Sequence, residues 1–340
     1  MYLTAKHALV GRTVRYLLFD LGNTLWKGID PVKYDAIEQK TNDYAVTVLH
    51  QLLAPMPLPS SDTKVLGQRL REMVSQQLRD ALRNNPEVEP DAALITNNAL
   101  YRLGFPPVDR TVGLKVFEAL NIRIPQRRSL DDDALSTLNT LKARGFSLGV
   151  VTNRHWGGDT FQEDLHTMGI CPVIDLKHMA ISADVGLRKP NPELFQHTLR
   201  TLNAVPEETV MVGDSIAADI RGAKMLGMLA VWKPKPRLWA EARSTVNLRF
   251  NEEANPDDQE QPDHYTEHNA GTYELRAAVA SHNRTKWRAN RYYAGVEGYF
   301  LAYVSRHSKK LNILPGDAQP DVIIEHLSDL LDVFTQAGTQ

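Results

Sequence analysis

Cysteine is nearly absent: the 340-residue chain has one, Cys171. No disulfide can form within it, which excludes the small disulfide-stapled folds and fits a reducing, cytoplasmic setting. An excess of positive charge is missing as well. Lys and Arg number 39 against 41 Asp and Glu, for a net charge of −2. With no long basic run, neither nucleic acid nor a membrane surface is expected as a partner. Long hydrophobic runs are lacking too, since no window reaches the roughly 18 to 20 apolar residues of a spanning helix. The opening MYLTAKHALVGRTVRYLLFD has no unbroken apolar stretch before a small-residue cleavage site, and reads as a polar lead-in to a strand, not a signal peptide. There is no repeat at solenoid spacing. What is present is ordinary globular composition, 42% hydrophobic and 24% charged, with length for one large domain or two modest ones.

Apolar, β-branched runs alternate with helix-period segments. Strands are expected at 14–20 (VRYLLFD), 146–152 (FSLGVVT), 173–182 (weaker), 209–214 (TVMVGD), 229–232 (LAVW) and 321–325 (DVIIE). Helices are expected over 131–145, 191–203, 216–227 and 326–334. Asp131–Asp133 suits the positive end of the first of these helices, and Gly145 suits its C-terminal cap. This alternation predicts an α/β, Rossmann-like doubly wound parallel sheet covered on both faces. Two segments interrupt it. Residues 28–128 read as almost wholly helical, and 237–316 hold an acidic stretch (251–269) and then a helix-like run with Tyr292, Tyr293, Tyr299, Phe300 and Tyr303. The expected organisation is a core of 1–27, 129–236 and 317–340, a helical module at 28–128, and a second insertion at 237–316. That insertion is where a protein partner or self-association is expected.

In open parallel sheets, ligands bind beyond the carboxyl ends of the strands at the topological switch point. Asp20 ends the first strand, in LLFDLGNTLW. Thr152 and Asn153 end the second, Asp214 ends TVMVG, and Lys189 precedes a helix in GLRKPNPELF. Each alone has an ordinary explanation: aspartates cap helices and turns, lysines are solvated, and Thr-Asn forms loops. Four such signatures in order, each at a strand or loop end, point to a site.

These four stretches, Asp20–Thr24, VVTN, RKPNPELF and VGDSIAADIRGAKMLGM, resemble the motifs of the haloacid dehalogenase-like hydrolase superfamily. The resemblance covers about 14–27 and 128–232, plus the terminal DVIIEHLSDLL. It implies a cap domain at the helical module, and a phosphatase acting on a small phosphorylated metabolite. By the resemblance, Asp20 is the nucleophile that forms an aspartyl-phosphate, Thr152 binds a phosphoryl oxygen, and Lys189 neutralises charge. Asp20, the Gly22 carbonyl and Asp214 would hold Mg2+, with Asp219 in support. Gly22, Asn23, Asn153, Thr152 and Lys189 make up the expected phosphate site, with Gly22 letting the loop turn tightly.

Most phosphatases of that family carry a second Asp where this chain has Gly22, and glycine cannot transfer a proton. Three consequences stay open: a proton from the cap or water, substrates with good leaving groups, or lost catalysis with retained binding. His155, His166 and His178 are weighed as replacements, against the plainer reading of His155 as a loop histidine. Arg154 is weighed as a contact to the non-phosphate part of the substrate. Trp26 and Lys27 are read as hinge packing. The other readings are a dehalogenase, which needs no metal, a phosphonate hydrolase using a cap lysine (Lys33, Lys40 or Lys64), and a catalytically weak binding protein.

Overall fold

The computed structural model describes residues 2–4, 11–28, 31–56, 62–252, 295–310 and 315–337. Its centre is a sheet of short apolar strands: β1 (Tyr2–Thr4), β2 (Tyr16–Phe19), β5 (Ser147–Thr152), β6 (Met179–Ile181), β7 (Thr209–Gly213), β8 (Leu229–Trp232) and β9 (Val322–Ile324). Two further strands, β3 (Trp26–Gly28) and β4 (Arg128–Leu130), pair antiparallel outside it. The sheet order is β1-β9-β8-β7-β2-β5-β6. All neighbours run parallel except β1, which lies antiparallel to β9. The polar lead-in expected before the first strand therefore contributes an edge strand of its own, and the sheet is not wholly parallel.

β2 is central, with Phe19 in register with Val150 on one side and Val212 on the other. The chain first adds strands toward β6 and then returns to add β7, β8 and β9 on the opposite side. The order reverses at β2, so the crevice beyond its carboxyl end is the switch point. β5 and β7 are buried at nearly every position because helices cover both faces. Those helices include α6 (Ala134–Ala143), α7 (Gly158–Thr167) and α9 (Pro192–Leu202). α6 ends as expected: Gly145 is left-handed at φ 91°, and the Phe146 N–H reaches back to the Leu141 carbonyl at 3.2 Å.

The residues before α6 behave differently from expectation. Asp133 makes no side-chain cap; it accepts from the Ser328 N–H at 2.8 Å instead. Asp131 pairs with Lys233 and Asp132 with Lys27, at 2.6 and 2.9 Å. The acidic cluster ties together segments distant in sequence. The helix expected over 216–227 also divides, into a π-helical turn (Ile216–Ile220) and the short α10 (Arg221–Met225). At 326–334 a 3-10 turn at Leu327–Asp329 precedes a four-residue α-helix, Leu330–Val333.

The helical module is built from α1 (Pro31–Leu53), α2 (Thr63–Asn84), α3 (Ala92–Arg102) and α4 (Arg110–Leu120). Asp62, Asp91 and Asp109 cap α2, α3 and α4 through their side chains, each satisfying otherwise orphaned N–H groups. Leu66, Leu70, Val74 and Leu78 recur every four residues along α2 and are buried. They join Leu49, Leu100, Val116 and Phe117 in a core separate from that of the sheet. Truncating such a residue typically costs about 2–5 kcal/mol. The half-buried Trp156 packs against both cores. The chain leaves for the module through β3 and returns through α5 (Ile124–Arg127) and β4.

By compactness the chain forms two units, Met1–Lys233 with Pro320–Gln340, and Pro234–Gln319. The sheet and the helical module both lie in the first. In the second, two long helices are described: Pro236–Glu252 and 295–310. Trp239 meets Phe300 at 4.6 Å between ring centroids, and the Tyr299 hydroxyl donates to Glu241 at 3.3 Å. Tyr292, Tyr293 and nearly all of the acidic stretch lie outside the described residues. Among the described residues, no helix is long and apolar enough to cross a membrane.

Candidate active site

The loop after β2 places Asp20 at the switch point. The N–H groups of Thr24, Leu25 and Trp26 bond back to the Leu21 carbonyl, and that of Asn23 bonds forward to the Trp26 carbonyl. The left-handed residue is Asn23, at φ 59°. Gly22 is not left-handed, and a Cβ built on it meets one atom only, Asp20 Oδ2 at 3.8 Å. The expectation that Gly22 makes the turn is thus corrected. The turn places its strained conformation on Asn23, a residue type that tolerates it, and position 22 has room for a side chain facing the Asp20 carboxylate.

Lys189 is the electrostatic hinge of the site. Its ammonium donates to Asp20 Oδ1 at 2.6 Å and to the Val151 carbonyl at 2.7 Å, and pairs with Asp219 Oδ1 at 2.6 Å. Burial disfavours its charge, but the Asp20 and Asp219 carboxylates outweigh that, and its pKa rises. Asp219 is pushed up to about 7, first by burial and then by the Asp20 and Asp214 charges, against the pull of Lys189. Asp219 fits against Gly213 because a Cβ there would lie 2.3 Å from its carboxyl carbon. Its other oxygen accepts the Ser215 N–H at 2.9 Å.

Asp20, Asp214 and Asp219 present oxygens that all lie within 4.8 Å of one another. Three carboxylates so close, two of them on one lysine, repel one another unless protonated or bridged by a cation. An all-oxygen donor set suits a hard divalent ion, so these residues fit magnesium.

Other expected residues take different parts. Thr152, buried at the end of β5, lines the cavity with Asp20. Asn153 also lines it, but its amide clamps the Lys189 backbone, accepting the Lys189 N–H at 2.8 Å and donating to its carbonyl at 3.1 Å. Asn23 donates to Asp214 Oδ2 at 3.1 Å. Both asparagines, expected at the phosphate site, here bond to Asp214 and to the Lys189 backbone.

The cavity over Asp20 is about 330 Å3 and is walled by Gly22, Trp26, Arg127, Arg128, Thr152, Asn153, Arg154, His155, Trp156, Lys189, Asp214, Ser215 and Asp219, among others. Trp26 is thus cavity wall as well as hinge packing, while Lys27 pairs outward with Asp132. His155 is held through Nδ1 by Glu89 Oε1 at 2.7 Å. Glu89 comes from the α2–α3 connection of the helical module, and its other oxygen takes the Ser182 hydroxyl and Arg188, each at 2.5 Å. His166 and His178 do not line the cavity. Neither do Lys40 and Lys64, and the side chain of Lys33 lies outside the described residues.

Arg154 is 8% exposed, its guanidinium 4.2 Å from the Trp156 ring centroid, 4.3 Å from Phe161 and 5.7 Å from Trp26. Arg127 sits 4.6 Å from the same Trp156 ring. Burial first, and the Arg127 charge second, depress the Arg154 pKa to about 9. Arg127, Arg128 and Trp156 carry no sequence signal that places them at the site. The first two arrive there because the chain re-enters the core beside β3.

A family model for the haloacid dehalogenase-like hydrolases matches residues 14–227, and the chain belongs to that family. Glyceraldehyde 3-phosphate phosphatase of Pyrococcus furiosus is 35% identical over 99 residues, 29% of this chain and 40% of that protein. Phosphoserine phosphatase of Thermus thermophilus is 36% identical over 127 residues, 37% of this chain and 49% of that protein. The chain spans about half or less of each of these two relatives. A solved 2-haloacid dehalogenase from Pseudomonas syringae pv. Tomato DC3000 is similar at a TM-score of 0.44 and 23% identity, covering 65% of this chain and 86% of that one.

Proposed function

We infer that the chain is a magnesium-dependent phosphohydrolase that acts on a small phosphorylated metabolite through an aspartyl-phosphate on Asp20. The observation that carries this reading is the Asp20 carboxylate. It is held at 2.6 Å by a buried lysine, with Asp214 and Asp219 within 4.8 Å, at the floor of a cavity of small-molecule size. The phosphatase names of the partial relatives agree with it.

In this reading Asp20 attacks phosphorus, the ester P–O bond breaks, and the leaving oxygen takes a proton. Water then cleaves the aspartyl-phosphate and releases inorganic phosphate. Lys189 holds the attacking carboxylate and offsets the charge of the incoming phosphoryl group. Asp20, Asp214 and the Gly22 carbonyl would hold magnesium, which supplies further charge neutralisation on the phosphoryl oxygens. Gly22 offers no proton, so the leaving oxygen is served by water or from across the cavity. His155, oriented by Glu89, is the imidazole in that wall. The helical module acts as a cap, since its return segment supplies Arg127 and Arg128 to the enclosure and its Glu89 holds His155 there.

The test is hydrolysis of an aryl phosphate and of a panel of sugar phosphates with magnesium, with chelator, and by Asp20→Asn. Turnover that needs both metal and Asp20 supports the reading; turnover indifferent to either one contradicts it. A dehalogenase is disfavoured by Asp214, which that chemistry does not require.

A further inference from the structure

Four cations, Lys189, Arg127, Arg128 and Arg154, face the cavity over Asp20. Lys189 is engaged by Asp20 and Asp219. The three arginines have no carboxylate ion pair among the described residues. Arg154 is the most telling of them. Its Nε and Nη2 are buried and have no hydrogen-bond partner, and the same holds for Arg127 Nε. A buried guanidinium with unmet donors is costly unless something else balances it. Aromatic rings on Trp26, Trp156 and Phe161 recover part of that cost and hold the guanidinium in a fixed orientation. The Arg154 backbone is also fixed, its N–H donating to the buried Ser182 hydroxyl at 2.7 Å. Such an arrangement suits an anionic ligand group. It lies in the same cavity as Asp20, whose carboxylate is already held by Lys189.

We propose that the substrate carries a second anionic group, a carboxylate or a second phosphate, which Arg154 binds with Arg127 and Arg128 while the scissile phosphate sits on Asp20. Planar guanidinium donors match either group bidentately. The proposal rests on the phosphohydrolase reading only for the identity of the first anion. Its scale is small: one cavity of about 330 Å3 holds both ends, so the two anionic groups are separated by a few bonds only.

The experiment uses the full chain and three esters of matched length with magnesium: propyl phosphate, carboxyethyl phosphate and ethanediol bisphosphate. The expected result is a kcat/KM at least tenfold higher for one or both doubly anionic esters than for propyl phosphate, in keeping with the value of charged hydrogen bonds. The ester with the larger preference identifies the second group as carboxylate or phosphate. Arg154→Gln should shrink the preference to about threefold or less, Arg154→Lys should retain part of it, and Arg128→Gln, at a half-buried position, should weaken it. No preference in the parent protein overturns the proposal, as does a preference that survives in both glutamine variants. If circular dichroism shows that Arg154→Gln does not fold, the Arg128→Gln result decides.

A binding arm separates this proposal from the reading beneath it. Calorimetry on Asp20→Asn protein compares ethylphosphonate with phosphonoacetate and methylenediphosphonate. If no ester is hydrolysed, even an activated aryl phosphate, the phosphohydrolase reading fails. The anion receptor still stands or falls on whether a doubly anionic probe binds at least tenfold more tightly.

Discussion

Gly22→Asp is the most instructive single change. Position 22 lies outside the left-handed region, and its added Cβ would meet only Asp20 Oδ2, at the ordinary contact distance of 3.8 Å. The Cβ of the new side chain is therefore accommodated beside Asp20 without moving the backbone. Lys189, 2.6 Å from Asp20, already offsets the charge that would otherwise oppose a second acid there. A positioned general acid is typically worth about 100- to 10,000-fold, or roughly 2.7–5.4 kcal/mol of barrier. That gain applies where the leaving oxygen is a poor one. We expect Gly22→Asp to raise kcat on an alkyl phosphate by at least about tenfold, the low end allowing for an unoptimised position. On p-nitrophenyl phosphate, whose leaving group needs no proton, we expect a change below about threefold. Steady-state kinetics on the two substrates gives the ratio directly. If the ratio stays fixed while the variant is folded and still binds phosphate, then the glycine is not the missing acid, and the account of this position is wrong.

Other expectations follow from the same geometry. Lys189→Met leaves Asp20 and Asp219 facing each other in a buried site; it should abolish turnover and lower stability by about 3–5 kcal/mol, measured by denaturant titration. Asp219, raised to about 7, binds more protons in the folded chain than in the unfolded one between pH 4 and 7. Without metal, stability should therefore fall as pH rises through that window, and magnesium should raise Tm more at pH 8 than at pH 5; a pH-independent metal effect contradicts this. Asp164 accepts from Arg123 Nε at 2.6 Å and from the Ile124 N–H at 2.9 Å. Asp164→Ala should cost about 1–3 kcal/mol and loosen the return from the helical module, read as faster hydrogen exchange at 123–128. Asn153→Ala should lower kcat about tenfold or more by freeing the Lys189 backbone and cost about 1–3 kcal/mol of stability; an unaltered kcat would remove Asn153 from the account.

The parts of this protein that were legible in its sequence are those in which one residue type must sit at a strand end. Asp20, Thr152, Asp214 and Lys189 were found because apolar strands lead into them and the sheet order gathers them. The acid cluster at Asp131–Asp133 misled because local helix chemistry was only one of its options. Lys27, Lys233 and the Ser328 N–H, all distant in sequence, outbid the helix end. The bonds of Asn23 to Asp214 and of Asn153 to the Lys189 backbone were not legible, because an amide beside a charged group bonds to whatever the fold brings nearest. The three-residue strands β3 and β4 were too short to show an alternating pattern. Arg127, Arg128 and Trp156 were invisible for a different reason. Their place depends on where an insertion of about a hundred residues re-enters the core, which local patterns do not encode.

The central claim is that Asp20 carries the phosphoryl group. The direct measurement is acid quench of the full chain during turnover of an activated aryl phosphate with magnesium, followed by peptide mass spectrometry. The account predicts one added phosphoryl group on the peptide containing Asp20, absent with chelator and absent in Asp20→Asn. Turnover with the label on another residue, or turnover that persists in Asp20→Asn, would contradict it.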